Sequence, residues 1–137
     1  MANHTFEKFY QAILCGTLDN AHESGTLDAR IARKAGSIIE REINPNGQTA
    51  ITHYKLIKNY DNFCLVEFKL ETGRTHQIRI HSKYMGHSIL GDTLYGAPSK
   101  LISHQALHAY KISFEHPITN QKMTFETNLP GNMKYIL

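Results

Sequence analysis

No stretch of this chain stays apolar for long. No run approaches the ~18 residues a membrane-crossing helix needs, so no helical membrane span is expected. Cysteine is scarce: Cys15 and Cys64 are the only two, far apart and in apolar surroundings. Without a C-x-x-C pair, a zinc or thiol-redox motif is excluded, and two buried free thiols in a reducing compartment are expected. The start, Met1 to Glu7, lacks the pattern of a secretory signal peptide, so a soluble cytoplasmic protein is expected. The G-x-S-x-G elbow, the G-x-G-x-x-G turn and the phosphate-binding P-loop are all absent. No linker or low-complexity segment divides the 137 residues, which amount to one domain. Charge of one sign is lacking too. Fifteen Lys and Arg oppose twelve Asp and Glu, for a net charge of +3. That balance permits a nucleic-acid partner without demanding one.

One local absence is more telling. The ten residues "TGRTHQIRIH", Thr72 to His81, hold two arginines and two histidines and no carboxylate. The residues before them alternate. Ala50, Thr52, Tyr54 and Leu56 interleave with Ile51, His53, Lys55 and Ile57, and Cys64, Val66, Phe68 and Leu70 oppose Glu67, Lys69 and Glu71. A period of two means strand, and Asp61-Asn62 can turn the chain, so residues 49–71 are expected to form an antiparallel hairpin. Residues 6–16 and 107–115 are also expected as strands, with a last one at 123–127. Asn44-Pro45-Asn46-Gly47 is a turn signal. After Thr72-Gly73, Thr75 can cap a helix over residues 76–85 that stops at Gly86, with Ile78, His81, Ser82 and Met85 on one face and Gln77, Arg79 and Lys83 elsewhere. The fold class expected is α+β, a mixed, mainly antiparallel sheet with a central helix.

A strand entering a helix through Thr-Gly-Arg-Thr suits an anion, and Arg74 and Arg79 add planar guanidinium forks. Oxyanion contacts, a structural ion pair and plain solvated arginines all fit that pattern. His76 and His81, five apart, fall on different helical faces. His104 and His108 lack the intervening Glu of H-E-x-x-H, so metal ligation is not expected. Asp19, Asp28, Asp61 and Asp92 are candidate nucleophiles, each better read as a turn or cap residue.

The run "LETGRTHQIRIHSKYMGHSILGDTLYG", Leu70 to Gly96, closely resembles the C-terminal signature of the RluA-type pseudouridine synthases, which isomerise uridine in ribosomal or transfer RNA. "EKFYQAILCG", "GQTAITHYKLI" and "LHAYKISFEHPITNQKMTFE" resemble further family strands in the same order, with Ser88 where the family usually has proline. The resemblance implies that Tyr10 is the tyrosine that stacks on the target base and takes part in proton removal. It implies that Arg79 is the basic partner of the catalytic aspartate. Arg74, Thr75, His76 and Gln77 would face RNA or brace the cleft, and Gly91, Asp92, Tyr95 and Gly96 would form a scaffold loop. Neither a metal nor a cofactor is implied; the chemistry would rest on an aspartate acting on a flipped-out uridine.

The family's Arg-Leu-Asp-x-x-Thr-Ser-Gly segment, which carries that aspartate, has no counterpart in these residues. The tetrapeptide Gly-Thr-Leu-Asp at 16–19 and 25–28 resembles it only superficially. Residues 1–137 are therefore expected to be the C-terminal part of a catalytic domain, inactive alone, with Arg79 lacking its carboxylate and an exposed sheet edge promoting self-association. The alternative is a non-catalytic RNA-binding module.

Overall fold

The computed structural model describes residues 6–137; most of the opening segment read for a leader, residues 1–5, lies outside them. Eight strands and two helices follow one another as β1 (Glu7–Cys15), β2 (Ser24–Asp28), β3 (Ile31–Arg33), β4 (Arg41–Ile43), β5 (Ile51–Asn59), β6 (Phe63–Leu70), α1 (Gln77–Tyr84), β7 (Leu107–Glu115), β8 (Lys122–Glu126) and α2 (Gly131–Ile136). Six strands form one sheet in the order β2-β5-β6-β1-β7-β8, and β3 pairs with β4. The α+β architecture is as expected. Every pairing between these strands is antiparallel, so the sheet is less mixed than anticipated.

The expected hairpin is β5–β6, with Tyr54 opposite Phe68 and Thr52 opposite Leu70. Its alternation is real because α1 covers one face: Thr52, Tyr54, Val66 and Phe68 are all buried. The first strand lies in the middle of the sheet, between β6 and β7. Its centre, Ala12-Ile13-Leu14, is wholly enclosed on both faces. That explains why "AILC" reads as a continuous apolar run rather than an alternating one. The stretch after α1 is stitched to β1 by Leu90 N–H to Ile13 O, Ile13 N–H to Ala106 O and Ala106 N–H to Leu90 O, at 2.8 to 3.0 Å. This stitching sets the loop of residues 91–105 beside the helix.

Where β1 meets β7 the register slips between Phe9 and Tyr10, which leaves Tyr110 as an extra residue on β7. Bulges bend a strand and re-aim neighbouring side chains. Tyr110 turns its hydroxyl to donate to Glu67, and Tyr10 is left beside the helix-covered half of the sheet.

α1 departs from expectation at its start. Thr75 is exposed and gives no cap; His76 is the N-cap, with φ 57° and no capping side-chain bond. The turn is held instead by Gln77, whose Oε1 accepts from the Arg74 N–H and the Thr72 hydroxyl. Gln77 is therefore buried. The helix ends as expected: Gly86 takes φ +94° and its N–H bonds Lys83 O.

Candidate active-site cleft

Four loops and strand ends converge where β1 passes α1. Tyr10, Leu70, Arg74, His76, Gln77, Ile78, Arg79, Gln105 and Leu107 enclose a cleft of about 260 Å³. Five of the six residues singled out from the sequence share this one cavity: Tyr10, Arg74, His76, Gln77 and Arg79. Thr75 does not line it. No carboxylate is among the lining side chains.

Arg79 is not solvated. Its Nε and Nη2 donate to Asp92 Oδ2 and Oδ1 at 2.8 and 2.9 Å, a bidentate pair in which Asp92 is fully buried. Its guanidinium also lies 5.1 Å from the centre of the Tyr95 ring. The expectation that Arg79 lacks a carboxylate is thus corrected: this chain supplies one, from the loop after α1. Asp92 also caps its own turn, accepting from the Leu94 and Tyr95 N–H groups. Burial alone would raise the Asp92 carboxyl. The Arg79 bond and the two backbone donors outweigh it and hold the group below the ordinary carboxylate range, while the same bond raises Arg79. Arg79 Nη1 has no partner among the described residues, so the guanidinium keeps one edge for a second acceptor.

Arg74 donates Nε to Thr49 O at 2.8 Å, which ties the turn to the start of β5. Gln77 Nε2 donates to Ile51 O and to the Thr52 hydroxyl. The Thr52 hydroxyl lies 2.8 Å from His81 Nδ1, and His81 Nε2–H donates to Ala29 O at 2.9 Å. The network Thr72–Gln77–Thr52–His81–Ala29 runs beneath the cleft floor. Burial pushes the His81 pKa down, so the ring is neutral, with Nδ1 accepting from Thr52. Nothing in the sequence pattern announces this network, because its members belong to four separate elements.

The aspartates are dispersed. Asp19 is exposed and pairs with His22; Asp28 ends the edge strand β2; Asp61 belongs to the β5–β6 turn. None reaches the cleft, and Asp92 is sealed beneath Arg79. His104 bonds Asn132 and His108 bonds Thr127. Among the described residues no group of three His, Cys, Asp or Glu could hold a metal ion, and no helix is long and apolar enough to cross a membrane.

Residues 1–84 match the family model described as RNA pseudouridylate synthase. Over 135 residues the chain is 44% identical to an uncharacterized RNA pseudouridine synthase, YjbO, of Bacillus subtilis, covering 98% of this chain and 47% of that protein. Over 138 residues it is 34% identical to ribosomal large subunit pseudouridine synthase D of Vibrio cholerae, covering 90% and 42%. The chain thus spans about half the length of the curated relatives it matches. Among solved structures, human RNA Pseudouridylate Synthase Domain Containing 1 superposes with a TM-score of 0.76 at 24% identity, over 90% of this chain and 54% of that one, and so shares its fold.

Proposed function

The chain belongs to the RNA pseudouridylate synthase family, in its RluA-type branch, and from that premise we propose that its cleft is one wall of a site where uridine in structured ribosomal or transfer RNA becomes pseudouridine. The observation that carries this is the meeting of Tyr10 and Arg79 in one cavity, although β1 and α1 are far apart in sequence. In this reading Tyr10 stacks on the flipped-out base and helps remove its proton. Arg79, held rigid by Asp92, offers its free Nη1 edge to the nucleophilic aspartate and keeps that carboxylate ionised. No cleft residue is a carboxylate, so the aspartate comes from a segment beyond residues 1–137, and these residues alone are catalytically silent. A cytoplasmic location goes with this reading.

The test is a fusion in which this chain replaces the matching half of the B. subtilis relative. Tritium release from RNA labelled at uridine C5 is expected from the fusion and not from the 137-residue polypeptide. Arg79→Met and Tyr10→Phe should each reduce the fusion's rate by about 10² or more, the scale of a lost general acid–base partner. A folded but inactive fusion sinks the assignment. Release by the polypeptide alone that Asp19→Ala or Asp28→Ala abolishes overturns instead the statement that the nucleophile lies beyond these residues.

The carboxylate-free cleft also suits a non-catalytic RNA-binding module. Under that reading RNA affinity falls steeply with salt and weakens in Arg74→Ala, while the fusion stays inactive.

A further inference from the structure

His76 combines three features that the proposed chemistry does not use. Its backbone is left-handed, φ 57° and ψ 22°, one of two non-glycine residues at positive φ among the described residues. Such a conformation costs free energy and concentrates at functional sites. Its ring lies edge-on to Tyr95, with centroids 5.5 Å apart at 72°. Its Nδ1 is 2.7 Å from the Tyr95 hydroxyl.

Tyr95 decides the proton position. It is 5% exposed, and its hydroxyl already accepts from the Arg41 backbone N–H at 2.9 Å. If it also accepted from an Nδ1–H, its own proton would be left without an acceptor in an enclosed site, at a cost of ~1–3 kcal/mol. The favoured arrangement has the Tyr95 O–H donating to Nδ1. The imidazole is then neutral and carries its proton on Nε2. The surroundings agree: burial, then the charges of Arg79 and Arg41, push the His76 pKa down against the opposing pull of Asp92. Arg74 and Tyr10 are the remaining charged and titratable groups of the cleft. His76 lines that cleft while Tyr95 does not, and Nε2 has no partner among the described residues.

We propose that His76 is a neutral hydrogen-bond donor of the cleft, locked by Tyr95 as the Nε2–H tautomer, and that it grips an acceptor oxygen of the RNA, a phosphate or a uracil carbonyl. Tyr95 is the positioning residue. The ligand half of this rests on the RNA reading above; the tautomer half does not.

Two measurements on the 137-residue chain separate the halves. Long-range proton–nitrogen correlation spectra of histidine-labelled protein should show His76 with Nε2 protonated and Nδ1 bare, unchanged between pH 8 and about pH 6.5, the ordinary histidine midpoint. Tyr95→Phe keeps the ring under Arg79 but removes the hydroxyl, and should give a mixture of tautomers. A protonated Nδ1 in the parent, or a Phe variant with the parent's spectrum, overturns the lock. Anisotropy titrations with a uridine-containing stem-loop should show His76→Ala weakened about tenfold, as for one hydrogen bond, and His76→Gln, which retains an N–H donor, within about threefold. Loss in the Ala variant that disappears with an abasic site at the target places the acceptor on the base; loss that persists places it on phosphate. An Ala variant that binds like the parent overturns the contact. A parent that binds no RNA overturns the contact together with the RNA reading, while the spectra still judge the tautomer.

Discussion

Two side chains show how much a single residue carries. Asp92 is fully buried with Arg79 on both its oxygens. Asp92→Asn leaves a guanidinium largely buried without its counter-charge, and should lower stability by about 3–5 kcal/mol in urea denaturation. Adding Arg79→Met should recover part of that loss, because the stranded charge is gone. His81 gives the second expectation. The folded chain holds it neutral by burial, whereas the unfolded chain titrates it near 6.5. Below that pH the unfolded state takes up a proton that the folded state resists. Stability is therefore complete above about pH 6.5 and declines as pH falls toward the depressed folded value, by at most ~1.4 kcal/mol per pH unit for one group. His76, also depressed, adds to the same slope. Denaturation midpoints at pH 7.5 and 5.5 should differ less in His81→Gln than in the parent. Motif likeness singled out Tyr10 and Arg79, and both line one cavity. The Arg79–Asp92 pair was not legible, because the two residues are thirteen positions apart, one in α1 and one in the loop after it, and the stitching of that loop to β1 brings them together.

At the scale of elements, the strands that bury a face announced themselves, as did the edge strand β8, whereas β2, β3 and β4 did not. The β5–β6 hairpin alternates because one side meets α1. β2 is an edge strand with four of its five residues exposed, and β3 and β4 have three residues each, too short to show any period. The helix start was misread because a capping threonine is a local rule, whereas Gln77 answers to Thr72, Ile51 and Thr52 together. Two glycines test what the loops around α1 demand. Gly86 has φ +94° with open space where a Cβ would stand, and Gly91 has φ +79° with His104 O 2.3 Å from that position. Gly86→Ala should cost about 1 kcal/mol, the conformational penalty alone. Gly91→Ala must also shift backbone in the loop that holds Asp92, and should cost about 3 kcal/mol. Thermal melts of the two variants rank them, and equal losses would mean the Gly91 loop yields freely.

For the whole molecule, the sheet order puts β8 at an edge that no further strand pairs with among the described residues. On that side Phe6, Phe114 and Phe125 stack at 5.3 and 6.0 Å, with Phe6 58% and Phe125 54% exposed. An apolar-walled groove of about 350 Å³ beside them is lined by Tyr10, Ile112 and Phe125, with Lys8 and Lys111 among its other residues. An aromatic patch next to unpaired strand hydrogen-bonding groups favours association, by edge pairing or by face burial. Lys122 and Glu126 at the two ends of β8 oppose it only weakly, because their charges flank the strand and do not interrupt it. We therefore expect the 137-residue chain to associate reversibly, its sedimentation coefficient rising from micromolar to near-millimolar protein. Phe125→Lys places a charge within the edge strand and breaks the aromatic stack, and should return the chain to a monomer. A monomer at every concentration would mean that Lys8, Lys111 and Lys122 repel a second copy strongly enough to guard the patch, and raising the salt would then bring the association out.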